Sequence, residues 1–112
     1  MTIICSVARS GKRPILFLPR HKNGEYGFGL PKGDVAIVAN GRPLTASIAK
    51  IACNVVRDGD GRNVLPDILF GWFGEDAGAP GTPKMRVQFR LANEHWILEP
   101  VTPAATADKE CA

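Results

Sequence analysis

Hydrophobic and polar residues alternate in short runs along this chain, and glycine or proline interrupts the runs at close intervals. This punctuation is typical of a β-rich fold. The pair Asn40-Gly41 favours a tight hairpin turn between two of the runs. Near the end of the chain, the sequence KMRVQFRL alternates strictly between apolar and polar positions, as a strand with one buried face does. The expected strands and hairpins lie at 2–8, 15–19, 34–48, 84–91 and 95–101.

One helix is expected, over residues 64–73, because five apolar residues there share one face at helical spacing. Asn63 is the expected N-cap, and Gly74 is expected to end the helix with a positive φ angle. The fold predicted from these elements is mainly β, an open antiparallel pseudobarrel of six or seven strands with the late helix plugging one end. The apolar face consists of Leu65, Ile68, Leu69, Trp72 and Phe73.

Residues 44–57 fit two patterns. Ile48, Ile51 and Val55 belong to a stripe at helical spacing, which favours a helix. The segment is also rich in β-branched residues, and the Asn40-Gly41 turn needs a partner strand, so a buried strand is the slightly favoured interpretation. The sequence leaves both open.

The length of 112 residues suits one domain, expected over residues 1–101, with a small polar tail at 102–112 expected to be disordered. No apolar run approaches the roughly 20 residues that span a bilayer, so no membrane partner is expected. The first residues are apolar and then basic, the reverse of a secretory signal, which favours a cytoplasmic location. Cys5, Cys53 and Cys111 are too scattered for a metal site and are expected to be reduced thiols. The sequence does not set the oligomeric state.

The positive charge is concentrated near the N-terminus. Residues 1–33 hold six lysines and arginines against one glutamate, whereas residues 34–112 hold eight basic and ten acidic residues. Such a basic segment suggests a polyanionic partner, of which nucleic acid is the commonest; a solvated basic face is the alternative. Lysine and arginine would neutralise phosphates, and polar neighbours would contact bases or sugars. The candidate DNA-binding residues are Arg9, Ser10, Lys12, Arg13, Arg20, His21, Lys22, Asn23, Tyr26, Lys32, Arg42, Arg57 and Arg62, with the outward face Arg86, Gln88 and Arg90 as a weaker candidate.

Motifs for catalysis are incomplete, so no catalytic residue, metal site or cofactor is expected. The glycine-rich stretch 71–82 lacks the Gly-Lys pair of a phosphate-binding loop and carries two acids that would repel phosphate. The segment 58–63 lacks the closing glutamate of a calcium loop. GFGLPKGDV at 27–35 is similar to the entry of a Nudix box, but no glutamate follows for a metal, which makes a degenerate Nudix-like hydrolase the third-ranked possibility.

The order of elements resembles the DNA-binding pseudobarrel, found in plant B-three transcription factors and in effector or target-recognition domains of restriction endonucleases. An early basic hairpin, several short strands, a late helix and a final hairpin carry the resemblance, and the run from Lys50 to Thr82 looks like C-terminal segments of restriction-type nucleases. The resemblance implies two arms in the major groove, the first at 9–26 and the second near 40–42 or in the loop after Arg57. It departs from the family in lacking an early helix between Pro19 and Gly33.

The leading hypothesis is a non-catalytic domain that binds double-stranded DNA, as the target-recognition module of a restriction-modification-type system, with a nuclease domain or subunit as a further candidate partner. The alternative is a protein-interaction or small-ligand β-barrel with an incidental basic face, self-associating through Trp72 and Phe73.

Overall fold

The computed structural model describes residues 2–79 and 85–101. It confirms a mainly β fold with seven strands and one late helix. Within these ranges no helix has the length and apolar character needed to cross a membrane. The predicted tail at 102–112 and the residues around Pro80 lie outside the described parts of the chain. The elements are β1 (Thr2–Ser10), β2 (Arg13–Phe17), β3 (Gly33–Ala39), β4 (Arg42–Ile48), β5 (Ala52–Arg57), α1 (Leu65–Phe73), β6 (Arg86–Ala92) and β7 (His95–Pro100).

The seven strands form a closed barrel in the order β1-β2-β5-β4-β3-β7-β6, with β6 returning to β1. The structure corrects two details of the prediction, an open barrel and an entirely antiparallel one. The β6–β7 hairpin lies between β1 and β3 and closes the ring. Seven is an odd number, so strands in a closed ring cannot alternate in direction throughout, and one neighbouring pair has to be parallel. That pair is β3 and β7.

The ring consists of two larger sheets, and each of the two places where they meet is a short stretch of strand pairing, which we call a seam. One sheet is the meander β3-β4-β5, and the other consists of the hairpins β1–β2 and β6–β7. Only three residue pairs connect β3 to β7, and two pairs connect β2 to β5. Helix α1 packs against β2 and β5, the strands on either side of the second seam. The helix therefore supports the barrel where its hydrogen bonding is weakest.

The ambiguous segment forms two strands rather than a helix. Leu44, Ala46 and Ile48 alternate into the core on β4, and the chain then turns into β5. Ile51, a member of the apparent helical stripe, lies in that turn and is 45% exposed. The predicted hairpin turn is confirmed: Asn40 and Gly41 both have positive φ angles, 53° and 76°.

Apolar residues from all seven strands fill the interior of the barrel. Val87 and Phe89 are fully buried, as the alternation predicted for β6 requires, but Leu91, which the same pattern places on the buried face, is 37% exposed. The free thiols of Cys5 and Cys53 lie in the same core, and their burial removes them from solvent, as expected for cysteines that pack as small apolar groups. Apart from these two thiols, no polar or charged residue is buried in this core among the described residues. The interior therefore has a structural role.

Helix α1 begins one residue later than predicted. Val64, rather than Asn63, occupies the cap position, and no side chain caps it. The Oδ1 atom of Asn63 instead accepts hydrogen bonds from the amides of Leu65 and Val56, both at 3.2 Å, which joins the start of the helix to β5. Gly74 ends the helix with a φ of 85°, as predicted, and its amide donates to the Phe70 carbonyl at 2.8 Å.

The barrel has two ends, which we name by what covers them. The helix end carries the β1–β2 turn, the β3–β4 turn, the residues after β5 and helix α1. The loop end carries the β2–β3 loop (residues 18–32), the β4–β5 turn and the β6–β7 turn. At the helix end, the indole Nε1 of Trp72 donates to Oδ1 of Asn40 at 3.0 Å, so the helix reaches from β5 to the β3–β4 turn.

Candidate nucleic-acid interface

The predicted DNA-binding residues are divided between the two ends of the barrel. Two loops that flank one strand emerge at opposite ends of it, and β2 separates the β1–β2 turn from the β2–β3 loop. Its five residues span about 17 Å. The basic N-terminal segment therefore does not form one surface. Arg9, Ser10, Lys12, Arg13, Arg42, Arg57 and Arg62 lie at or near the helix end, and Arg20, His21, Lys22, Asn23, Tyr26 and Lys32 lie at the loop end.

Arg9 has a structural partner at the helix end. Its Nε donates to the Ala77 carbonyl at 2.9 Å, and its Nη2 donates to the Glu75 carbonyl at 2.6 Å. These bonds hold the segment after α1 against the end of β1. Glu75 and Asp76 therefore lie beside the β1–β2 turn, the first of the loops expected to contact phosphate. Their negative charge weakens the attraction of a phosphate to this turn.

Acidic residues also accompany the other arginines of the helix end. Arg62 lies 3.8 Å from the Asp67 carboxylate, and Arg57 lies 3.9 Å from that of Asp34. Both pairs are exposed. The Asp58 carboxylate accepts hydrogen bonds from the Arg62 amide at 3.0 Å and the Asp60 amide at 2.9 Å, and these bonds, with the charges of Arg62 and Arg42, lower its pKa. This end therefore presents mixed charge.

The β2–β3 loop at the opposite end is held by its own backbone. His21 and Glu25 close a turn through the His21 amide and the Glu25 carbonyl at 2.7 Å, and the Gly27 amide donates to the Pro19 carbonyl at 2.8 Å. Leu18 and Leu30 anchor the loop in the barrel core. A Cβ atom at Gly27 would lie 2.9 Å from Cδ1 of Leu18, so the loop packs closely on that anchor. The loop is thus a defined surface.

An aromatic pair stands on this loop. The rings of His21 and Phe28 stack with centroids 4.4 Å apart and planes 24° apart. Phe28 is 49% exposed, the largest exposed fraction of any large apolar side chain in the described ranges. Our prediction from the sequence missed Phe28, although one signal was present: a large aromatic between two glycines of a polar loop buries nothing with its local neighbours.

Two clefts open on either side of Phe28. The larger, about 550 Å³, follows residues 24–30 and is bordered by Lys32 and Lys50. The smaller, about 270 Å³, lies between the start of β1 and residues 19–21, and includes Arg20. Phe28 lines both. Lys50 comes from the β4–β5 turn, which only the fold brings here, so the sequence did not identify it. Charged groups and an aromatic ring therefore meet around two adjoining clefts.

The cations of the loop end differ in how firmly they are held. The ammonium group of Lys32 donates to the Tyr26 carbonyl at 2.5 Å, which fixes it beside the larger cleft. Arg20, Lys22 and Lys50 are exposed, and no hydrogen bond or ion pair to a described residue holds their side chains. Three acids of the described ranges lie at this end: Glu25 borders the larger cleft, Glu94 lies in the β6–β7 turn, and Asp34, whose carboxylate lies near Arg57, stands at the start of β3. Positive charge predominates at this end.

The weaker candidate surface on β6 has internal partners. Nε of Arg90 lies 2.8 Å from Oε2 of Glu99, and Nε2 of Gln88 donates to the same oxygen at 2.5 Å. Both hydrogen bonds lower the pKa of Glu99, and the bond from Arg90 has the larger effect. Two of the three polar side chains on this face therefore contact a carboxylate of β7, as is common on the solvated face of a strand.

Among residues 2–79 and 85–101, no three histidine, cysteine, aspartate or glutamate side chains lie close enough together to hold a metal ion.

No protein-family model matches the sequence, and neither a curated protein nor a solved structure matches the chain.

Proposed function

We propose that this domain binds DNA through the loop end of the barrel, as a binding module without catalysis of its own. The observation that carries the proposal is the meeting of Arg20, Lys32 and Lys50 with the exposed ring of Phe28 around two adjoining clefts, with Lys22 exposed on the same loop. Lysine and arginine contact phosphates, and an exposed aromatic contacts bases or sugars. This combination is typical of nucleic-acid surfaces.

The balance of charge favours the loop end over the helix end. The helix end has more arginines, but Asp58, Asp67, Glu75 and Asp76 lie among them, and Arg9 is engaged by backbone carbonyls. At the loop end, three of the four cations have no described intramolecular partner. Binding of a polyanion at the loop end therefore breaks fewer contacts within the protein than binding at the helix end. It also brings the polyanion near fewer carboxylates.

The experiment compares two double variants that each remove two exposed positive charges. Lys22→Gln with Lys50→Gln changes the loop end, and Lys12→Gln with Arg13→Gln changes the helix end. Fluorescence anisotropy with a labelled 20-base-pair duplex, over about 50 to 200 mM salt, gives affinity and salt dependence. We expect the loop-end variant to bind several-fold more weakly at the lowest salt and its salt slope to fall by about two, while the helix-end variant matches the parent.

Equal losses in the two variants would contradict the assignment to the loop end. Affinity that is absent at low salt, or does not change with salt, would contradict DNA binding itself. Recognition of a particular target within a restriction-modification system is a narrower proposal, which selection of bound duplexes from a random pool would test. A pool without an enriched sequence after selection would count against it.

Protein interaction is a second candidate, favoured by an exposed apolar strip near the same end. Ile4, Phe17 and Ile51 are each more than 40% exposed and lie on or beside the adjoining strands β1, β2 and β5. The strip is distinct from Trp72 and Phe73, for which self-association was expected: these two pack against the core. Light scattering after gel filtration would detect self-association, and Phe17→Ser should abolish it if the strip is responsible.

A further inference from the structure

Phosphate binding does not explain why the ring of Phe28 is exposed on the β2–β3 loop. The ring is half exposed, it stacks on His21, and it forms a wall shared by two clefts. The loop beneath it is fixed by backbone hydrogen bonds and by two buried leucines. A large apolar side chain that is exposed on a fixed loop is available to a ligand with little loss of conformational freedom.

A stacked base pair within a duplex offers only its edges to a protein, whereas an unpaired base offers a flat π-face. Aromatic side chains bind such faces whatever the base identity. The larger cleft, about 550 Å³, is within the range of small-ligand sites and is large enough for a nucleobase. Lys32 and Lys50 border that cleft, and Arg20 borders the smaller one, so cations lie on both sides of the ring.

We infer that the loop end accepts an unpaired nucleobase, stacked on Phe28 in the larger cleft, with the phosphates on its two sides contacted by Lys32 and Lys50 and by Arg20. The inference rests on the proposed function and specifies which form of DNA the domain binds best. The DNA that this domain binds best contains an unpaired base, in a bulge, a mismatch or a single strand. The uninterrupted duplex binds through phosphate contacts alone and therefore more weakly.

The chain offers a matched control for Phe28. Phe17 is 41% exposed and lies toward the same end of the barrel, but it lines neither cleft. Replacing either phenylalanine with alanine removes a similar exposed ring. Only Phe28→Ala removes the wall between the clefts, and Phe28→Trp keeps a π-face there. Thermal unfolding of each variant verifies that it folds.

The experiment measures affinity for an intact duplex, for the same duplex with one bulged base, and for the single strand. We expect the parent to prefer the bulged duplex and the single strand, and Phe28→Ala to lose roughly ten- to a hundredfold of affinity for these two alone. Phe17→Ala should bind all three as the parent does, and Phe28→Trp should retain the preference. A 2-aminopurine at the bulge should change its fluorescence on binding, because it exchanges stacking on neighbouring bases for stacking on Phe28.

Each alternative result is decisive. Binding to the intact duplex without preference for the bulge, or an equal loss in Phe28→Ala for all three DNAs, overturns the stacking inference and leaves the proposed DNA-binding function standing. Absence of binding to every DNA overturns both. An equal loss in Phe17→Ala and Phe28→Ala would assign the effect to the apolar strip and overturn the inference.

Discussion

The guanidinium group of Arg9 donates from Nε to the carbonyl oxygen of Ala77 at 2.9 Å, which ties the end of β1 to the segment after α1, 68 residues later in the chain. The contact joins one of the predicted DNA contacts to the glycine-rich stretch that follows the helix. Arg9 and the glycine-rich stretch therefore both have a structural role. The acids of that stretch are thereby held beside the β1–β2 turn, on the end of the barrel that we do not expect to meet DNA.

Arg9→Ala should therefore lower stability more than it lowers DNA affinity. The variant loses two charge-assisted hydrogen bonds to backbone carbonyls, one of them part-buried, and we expect a loss of about 1–2 kcal/mol in the free energy of unfolding. Urea unfolding measures it. Arg13→Ala is the control, since Arg13 is exposed and should change stability by less than about 0.5 kcal/mol. Equal effects of the two substitutions would show that the Arg9 bonds contribute nothing.

Gly78→Ala should be strongly destabilising. A Cβ atom at Gly78 would lie 2.5 Å from the carbonyl oxygen of Ala8, and its φ of 73° favours glycine. Backbone on both sides has to move, so we expect a loss of at least about 2 kcal/mol.

Gly71 provides the control for Gly78. Gly71 lies within α1, and a Cβ there would meet no atom within 4 Å. Gly71→Ala should stabilise the protein by about 0.5–1 kcal/mol through helix propensity. Thermal unfolding of the two variants should move the midpoint in opposite directions. A shift of the same sign in both would mean that the contact with Ala8 does not constrain this segment.

The two core thiols should make stability fall at alkaline pH. Burial raises the pKa of Cys5 to about 12, with a further contribution from Cys53, whose own pKa is raised to about 11 by burial. In the unfolded chain both ionise near 9.0, so between pH 9 and 11 the unfolded state binds fewer protons than the folded state. Stability is then lost as pH rises, by about 1.4 kcal/mol per pH unit for each thiol.

Urea unfolding at pH 7.5, 9.5 and 10.5 measures this dependence. The double variant Cys5→Ala with Cys53→Ala is expected to be less stable at neutral pH but to have a shallower decline above pH 9, because it lacks the two thiols that ionise on unfolding. Parallel declines in the parent and the double variant would contradict the burial of the thiols as the cause.

Asn63 should contribute through the junction of β5 and α1. Its Oδ1 accepts from two backbone amides, so Asn63→Ala leaves both without this partner and should cost about 1–2 kcal/mol. Asn54→Ala on the exposed face of β5 is the control and should remain within about 0.5 kcal/mol of the parent. The difference between the two urea midpoints, multiplied by the m-value, gives the contribution of Asn63 to the free energy of unfolding. If Asn63→Ala is as stable as Asn54→Ala, the junction is held by packing alone.

Local pattern was sufficient to predict much of the fold. The alternation in β6 as far as Phe89, the Asn40-Gly41 turn and the apolar face of α1 are all properties of neighbouring residues, and each reappears in the structure. The segment 44–57 was ambiguous for the same reason, because the spacing of its apolar residues fits both a helix and a strand. Only the pairing of β4 with β3 and β5 decides in favour of strands.

The candidate site could be predicted only in part. The sequence shows which positive charges are close along the chain, but the topology of the barrel decides which of them share a surface. Arg13 and Arg20 are seven residues apart in sequence, yet β2 separates them to opposite ends of the barrel. Lys50 is brought to the β2–β3 loop by the return of β4 into β5. Contacts such as that of Arg9 with Ala77 have no local signature at all.

Chemical-shift mapping would show directly which end of the barrel contacts DNA. Backbone amide resonances of the labelled protein would be followed while the duplex, and then its bulged form, is added at low salt. We expect the largest shifts on residues 20–32 and on Lys50, with residues 9–13 and 57–62 nearly unchanged. Largest shifts at residues 9–13, 40–42 and 57–62, with residues 20–32 unaffected, would contradict binding at the loop end.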